Sequence, residues 1–390
     1  MDEIFSLSDS YLFNTYNRFR VVFEKGEGVY LYDYNGNRYI DFLAGIAVVS
    51  LGHCHPVVVD AIKKQAEKLI HTSNLYYIKQ QAEVAKLLVD HSCCDRVFFV
   101  NSGAEANETA IKLVRKFYNP HRFKILSFKN SFHGRTLAAL SATGQDAYKT
   151  DFEPLVEGFE FAEFNNIDDA ISKIDDKTAA VLVEFIQGEG GINVAKEDFI
   201  KKLYNYCKDR GVLFVADEVQ TGAGRTGKFF AYEHYGVEPD VITLAKGIGG
   251  GVPIGVVLAK ENVAKALGLS THGSTFGGNQ LSCSVAEAVV KHILSDGFLE
   301  DVKQKGEYLI SSLKNKLSDK QWIVDIRGLG LMIGVELDSV DHAKAVINKA
   351  FENGLLIGRA GEKTIRLEPP LIVEKSIIDE AVDILDGIIQ

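Results

Sequence analysis

Short apolar runs alternate with amphipathic stretches over most of this chain. Early on, VYLYDYNGNRYIDF interleaves apolar and polar residues around Asn35-Gly36. That pattern predicts a β-hairpin closed by a tight turn. Pro56 to His71 and Ile78 to Asp90 repeat their apolar residues at helical spacing. Arg96–Val100 reads as a short apolar strand. Ser102-Gly-Ala-Glu105 follows as a capping box and opens a helix to about Tyr118. Further apolar runs lie at Lys124–Phe128, Ala179–Phe185, Val212–Ala216, Asp240–Leu244 and Val256–Ala259. Runs with so little alternation suit strands buried on both faces, in a mostly parallel sheet covered by helices.

After about Gln280 the pattern changes. Two long amphipathic helices lead into strands within Ile323–Leu337. A helix at His342–Asn353, a strand at Thr364–Leu367 and a last helix at Lys375–Ile389 follow. The expected fold is α/β: a mostly parallel central sheet flanked by helices, with a smaller α+β domain. Residues 51–280 would form the large domain and 281–390 the small one. Residues 1–50, with the hairpin, would join the small domain.

Composition narrows the function. With 390 residues, 46% of them hydrophobic, the chain can build a sizeable core. The formal net charge is −10 and no basic run occurs, so nucleic acid is not an expected partner. No segment is apolar enough to span a membrane. MDEIFSLSDSYLF lacks the basic and apolar regions of a secretory signal. The cysteines number five, and Cys93 and Cys94 are adjacent, which is no disulfide framework. A reducing cytoplasm is the expected compartment.

The chemistry collects at the strand ends, where open α/β sheets place their ligands. Those ends carry Asn101-Ser102-Gly103-Ala104, Asn130 to Arg135, Glu184 to Glu189, Asp217 to Gln220, and Lys246. Lys246 follows the apolar VITLA, and a partly desolvated lysine loses its proton readily and can form an imine. That is how pyridoxal phosphate is held. Asp217 ends a buried strand, where a carboxylate could keep a pyridine nitrogen protonated. Gln220 could donate to the ring's phenolic oxygen, and Phe132 offers a flat face. Ser102, Gly103 and Ala104 open a helix, and helix N-termini bind phosphate. Arg135 could grip a carboxylate with both arms of its fork. Singly, each has a plainer explanation: a solvated lysine, a turn aspartate, a helix cap, a core phenylalanine, a surface ion pair. Their convergence on strand ends favours one site.

The blocks NSGAEANETAIKLVRK, FHGRTLAALSATG, VEFIQGEGG, DEVQTGAGRTGKFFAYEHYGVEPD, TLAKGIGGGVPIG and GSTFGGN resemble the signature segments of class III aminotransferases. The resemblance runs from about Tyr16 to the C-terminal helix. It implies a fold-type-I pyridoxal-phosphate transferase working as a homodimer with active sites at the subunit interface. It implies that Lys246 is the aldimine lysine and a general base, Asp217 the pyridinium partner, and Gln220 the contact to the phenolic oxygen. Phe132 would stack on the ring, and Gly103 and Ala104 would bind phosphate. Thr275 would reach the neighbouring subunit's phosphate, with Ser274 near the substrate. Arg135 would hold the donor's α-carboxylate and Arg366 that of 2-oxoglutarate. Glu189 would mask Arg366 while the donor is bound, giving ping-pong kinetics.

Within that family, AGIAVVSLGHCHP and the apolar Ile46 favour N2-acetylornithine as donor, and hence a place in arginine biosynthesis. Ornithine-specific members carry a tyrosine there that helps hold a free α-amino group. Tyr16 is a candidate further wall. Ornithine, 4-aminobutyrate and N-succinyl-diaminopimelate are the alternative donors. Phe185 stands where the family often has proline. Two weaker signals remain. Gly222-Ala-Gly224-Arg-Thr-Gly227 matches G-x-G-x-x-G, which would suggest a nicotinamide oxidoreductase, but DEVQT separates it from its strand. His53-Cys54-His55 matches no usual zinc spacing and reads as a turn before Pro56.

Overall fold

A computed structural model describes residues 1–390. At its centre lies a seven-stranded sheet. The order is Arg96–Val100, Gly255–Ala259, Val241–Leu244, Leu213–Asp217, Thr178–Glu184, Lys124–Phe128 and Phe159–Ala162. Gly255–Ala259 runs antiparallel to both neighbours, and the other six share one direction. Every residue of Thr178–Glu184, Leu213–Asp217, Val241–Leu244 and Gly255–Ala259 is buried, which is why they are written as unbroken apolar runs. The edge strand Phe159–Ala162 escapes that signal because three of its four residues are half-buried.

The helix Gly103–Tyr118 lays Ala106, Ala110, Ile111, Leu113 and Val114 into the core, the three-to-four spacing of one helix face. Ser102 caps it, its hydroxyl accepting the Glu105 N–H at 3.2 Å. The reciprocal half of the capping box differs from expectation. Glu105 reaches past Ser102 and accepts the Asn101 backbone N–H at 2.7 Å and its Nδ2 at 2.8 Å. Glu105 thus pins the end of the strand to the start of the helix.

The predicted hairpin is present as Tyr30–Asp33 against Arg38–Asp41. Its loop is organised by Asp33, which accepts the N–H groups of Asn35 and Asn37, while Gly36 takes φ +83°. Phe23–Glu27 adds a strand on one side, and Leu355–Leu356 adds one in parallel on the other. That last pairing ties the C-terminal part of the chain to the N-terminal hairpin. A further sheet orders Ile323–Leu329, Met332–Leu337, Thr364–Leu367 and Gly358–Ala360. The helix Gln280–Ile293 packs on Pro56–Ala66 and Lys79–Asp90, beside the central sheet. One continuous apolar cluster includes Val84, Phe214 and Val256 together with Leu309, Val335 and Leu385. Both regions therefore share a core. No helix is long and apolar enough to cross a membrane.

Candidate active site

Parallel strands bring their carboxyl ends to one edge of the central sheet. Asp217 is in register with Glu184 on one side and Thr243 on the other. Lys246 lies three residues beyond Thr243, in a left-handed backbone conformation at φ +48°. A lysine gains nothing from that conformation, so the surrounding fold must hold it there. Ser50 contributes by donating its hydroxyl to the Gly247 carbonyl at 2.7 Å. Together these ends enclose a cavity of about 230 Å³. Lys246, Asp217, Gln220, Phe132, Arg135 and Glu189 line it, and the Gly103-Ala104 turn closes one end. The first amides of that helix have no intrahelical partner and open on the cavity. Close packing keeps the end compact. A Cβ on Gly103 would stand 2.6 Å from Val219 Cγ1, and one on Gly134 would stand 2.8 Å from the Ala104 Cβ.

Asp217 is anchored from below. Its Oδ2 accepts Asn107 Nδ2 at 2.8 Å and the His133 Nδ1–H at 2.7 Å. The far ring nitrogen of His133 meets Ser127 Oγ at 3.2 Å, and Asn107 Oδ1 accepts from Thr243 Oγ1 at 2.9 Å. Oδ1 accepts only the Val219 N–H, at 3.0 Å, so it can still accept a bond from the cavity. Asn107 and Thr243 were not among the sequence candidates, and His133, inside the run Asn130 to Arg135, carried no assigned role. A signal existed for Asn107: it is four residues after Gly103, on the same helix face.

Lys246 is half-buried and makes no ion pair with a carboxylate. Burial lowers its pKa, and the nearby Arg366 cation pushes the same way. Glu368, Glu189 and Asp217 oppose the shift without cancelling it. Such an amine is readier than an ordinary lysine to act as nucleophile or base. Glu184 carries the opposite shift. Burial first, and the Asp217 charge second, raise it well above the usual carboxylate range, although it accepts the Phe132 N–H at 3.0 Å. Its protonated form is thereby favoured.

Glu218, next to Asp217, is fully buried away from the cavity and accepts the Tyr232 N–H at 2.9 Å. Burial pushes it up to about 7. Because its folded value exceeds its unfolded one, its protonation stabilises the fold at low pH. That contribution declines as pH rises and is lost above about 7, a change on the order of 3 kcal/mol at most. Thermal midpoints of the wild type should therefore fall more steeply between about pH 5 and pH 8 than those of Glu218→Gln. Parallel slopes would contradict this assignment.

Arg366 borders the cavity through Glu189. Its Nη1 meets Glu189 Oε1 at 2.5 Å and donates to the Gly188 carbonyl at 3.1 Å. Burial works against its charge, but Glu368 and Glu189 outweigh that and hold its pKa above the ordinary value. Beyond this pair lies a second cleft of about 560 Å³, walled by Phe19, Leu43, Ile46 and Ile357, with Asn17 at its rim. Glu189 and Arg366 line that cleft too, so the ion pair stands between the two spaces. Ile46 is presented by an unusual turn. Ala44, Gly45, Ile46 and Ala47 all have φ between 50° and 65°. A left-handed turn is costly for a β-branched residue. Asp41 helps hold it by accepting the Leu43 and Ala44 N–H groups.

Arg135 is exposed, with its guanidinium 3.9 Å above the Tyr148 ring and 5.6 Å from that of Phe132. It has no carboxylate partner within the chain and can take one from a ligand.

Other sequence candidates lie apart. Ser102 spends its side chain on the helix cap and does not line the cavity. Ser274 accepts from Asn101 Nδ2 at 3.2 Å and borders a different cavity, beside Tyr77 and Phe98. Thr275 is exposed and lines no part of the Lys246 cavity. Tyr16 is 70% exposed and walls neither space. Asn17 and Phe19, in the same irregular segment, line the cleft instead.

The weaker signals find structural uses. Gly224 and Gly227 adopt φ +87° and +83° in a turn that buries Arg225, which donates to the Leu331 and Pro369 carbonyls. Nothing there opens a phosphate-binding helix. His53 pairs with Asp41 at 2.7 Å, and His55 caps the helix Pro56–Ala66. Phe185 is buried and stacks on Tyr235 at 5.0 Å.

Comparison with known proteins agrees on one family. The family model for class-III aminotransferases matches residues 11–389. Acetylornithine aminotransferase from Caldanaerobacter subterraneus subsp. tengcongensis is 50% identical over 384 residues, covering 97% of each chain. The protein of the same name from Methanocaldococcus jannaschii is 49% identical, covering 98% of this chain and 96% of its own. Among solved structures, ornithine aminotransferase from Toxoplasma gondii superposes with a TM-score of 0.94 at 34% identity, covering 99% of this chain and 93% of that one. That crystal, grown with oxidized glutathione, holds pyridoxal phosphate at partial occupancy in its active site.

Proposed function

The chain belongs to the class-III aminotransferases, and from that premise we propose that it transfers the terminal amino group of N2-acetyl-L-ornithine to 2-oxoglutarate. The products are N-acetyl-L-glutamate 5-semialdehyde and L-glutamate, which places the enzyme in arginine biosynthesis and, we expect, in the cytoplasm. One observation carries the reading. A single cavity joins a helix N-terminus, an anchored Asp217 with an open lone pair, and an amine without a carboxylate partner.

That donor set fits pyridoxal phosphate. The Gly103-Ala104 turn would hold the phosphate. Asp217 would face the ring nitrogen, Gln220 the phenolic oxygen and Phe132 the ring face, and Lys246 would hold the cofactor covalently. When bound, the cofactor supplies an electron sink for the carbon that carries the amino group. The chain's part is to bind, orient and move protons. Arg135 receives the donor's α-carboxylate, since it is the arginine of the site without an acidic partner. Glu189 keeps Arg366 neutralised during that half-reaction. When Glu189 moves aside, Arg366 receives the α-carboxylate of 2-oxoglutarate, and one site serves two substrates in ping-pong order. Lys246 Nζ takes the proton from the donor's terminal carbon, aided by its lowered pKa.

The apolar cleft beside Ile46 suits an acylated amine, which asks for no charged partner. A homodimer completes the site in this reading, with Thr275 of one subunit reaching the other's phosphate. The exposed Leu75, Tyr76, Tyr77 and Phe276 supply apolar surface for it.

A donor screen with 2-oxoglutarate tests the specificity. The kcat/KM for acetylornithine should exceed that for ornithine, 4-aminobutyrate and succinyl-diaminopimelate by at least about tenfold. Ile46→Tyr should move the acetylornithine-to-ornithine ratio toward ornithine by about tenfold. A wild-type preference for free ornithine would overturn the substrate assignment and leave the family standing.

A further inference from the structure

Below the cavity sits a carboxylate that the proposed mechanism does not use. Glu368 is completely buried. Its Oε2 accepts from Gln220 Nε2 at 3.3 Å and lies 3.4 Å from Arg366 Nε. Its Oε1 has no partner at all. The backbone around it is fixed: the Glu368 N–H donates to the Phe42 carbonyl at 2.7 Å, and the adjacent Pro369 carbonyl accepts Arg225 Nη1 at 2.5 Å. Arg366 and Glu368 are two apart in an extended segment, so both project to the same side. Burying a carboxylate with one oxygen unpartnered is costly. Packing alone would favour an apolar side chain there.

The geometry at Gln220 shows what the carboxylate does. A terminal amide has two faces of similar shape, one accepting and one donating. A carboxylate can only accept, so the Gln220 end that meets Glu368 must be the NH2 group. The other end, Oε1, lies against Gly188, where a Cβ would stand 1.6 Å away. The amide is therefore held between Gly188 and Glu368 with its orientation decided. One Nε2 hydrogen goes to Glu368, and the second is left for the cavity. Glu368 Oε2 also stands 3.4 Å from Arg366 Nε, an ion pair without a hydrogen bond, while Arg366 Nη1 meets Glu189.

We propose that Glu368 is a positioning residue that fixes the donor face of Gln220 toward the cofactor site and the Nη edge of Arg366 toward the substrate. This rests on the roles given to Gln220 and Arg366 above. It assigns Glu368 an orienting task at Gln220 carried by its acceptor oxygen, beside the charge it presents to Arg366.

The test uses the full-length protein loaded with pyridoxal phosphate, as wild type, Glu368→Gln and Glu368→Leu. Two quantities are read: the pH midpoint of the visible absorption band, and KM for 2-oxoglutarate against KM for the donor. Gln at 368 keeps an acceptor oxygen. Its midpoint should move less than half as far as that of the Leu variant, since both lose the charge and only Leu loses the acceptor, and its KM values should stay within about threefold of wild type. Leu removes the acceptor. Its midpoint should move by about one unit, and KM for 2-oxoglutarate should rise about tenfold, with donor KM less affected. Glu368→Met, equally free of an acceptor, substitutes if the Leu variant does not accumulate folded. Wild-type values in the folded Leu or Met variant overturn the proposal. So does an equal change in Glu368→Gln, which would make charge the cause. Failure of the functional reading is distinct, since the wild type would then show neither band nor transamination.

Discussion

Lys246→Ala is expected to lower the rate of transamination by at least about 10⁴-fold while leaving the protein folded. Two tasks fall on this side chain, holding the cofactor and moving the proton, and no neighbour can take over either. Arg135 and Arg366 are the other cations near the cavity, and a guanidinium cannot give up a proton at neutral pH. The fold should tolerate the change. Burial already disfavours the Lys246 charge, and no carboxylate is paired with it. Its thermal midpoint should stay near wild type. Single-turnover rates with acetylornithine, beside a thermal melt, check both halves. A folded variant that keeps more than about a hundredth of the activity would remove Lys246 from the mechanism.

Asp217→Ala should fail differently. We expect kcat to fall roughly 10³-fold, the scale on which a preorganised charge at a reacting group contributes. Stability should fall as well. The Asp217 carboxylate satisfies His133 Nδ1 and Asn107 Nδ2, both on buried residues. Removing it leaves the buried His133 Nδ1 without its acceptor, at about 1–3 kcal/mol, and costs Asn107 Nδ2 one of its two bonds, the one to the His133 carbonyl remaining. Asp217→Ala should thus lose activity and thermal stability together, where Lys246→Ala loses activity alone. Rates and melting curves on the two variants separate the roles. Asp217→Ala with wild-type turnover would contradict the electrostatic role, whatever its stability.

How much of this was readable beforehand depends on burial. Strands buried on both faces are written as apolar runs, so the middle of the sheet was legible, whereas Phe159–Ala162 at its edge was not. The helix Asp2–Tyr11 buries no residue and left no core signal to follow. At the site, residues that stand on strand ends were found: Lys246, Asp217, Gln220 and Phe132 all line the cavity. What was not legible is which residues hold them in place. His133 and Asn107 act on Asp217 from a loop and a helix, and their role exists only after folding brings the loop and helix to the strand. Glu368 was two residues from a named arginine in TIRLEPP, and the alternation of an extended segment would have placed the two together. Tyr16 is the opposite case. Asn17 and Phe19 line the cleft while Tyr16 is 70% exposed, and a segment without regular structure carries no periodicity from which side-chain direction could be read.

Cofactor attachment and proton transfer both meet at one nitrogen atom, Lys246 Nζ. Borohydride reduction of the cofactor-loaded protein, followed by proteolysis and mass mapping, reads that atom directly. The reduced pyridoxyl group should be found on the peptide containing Lys246. Modification of a different lysine, or of none, would contradict it.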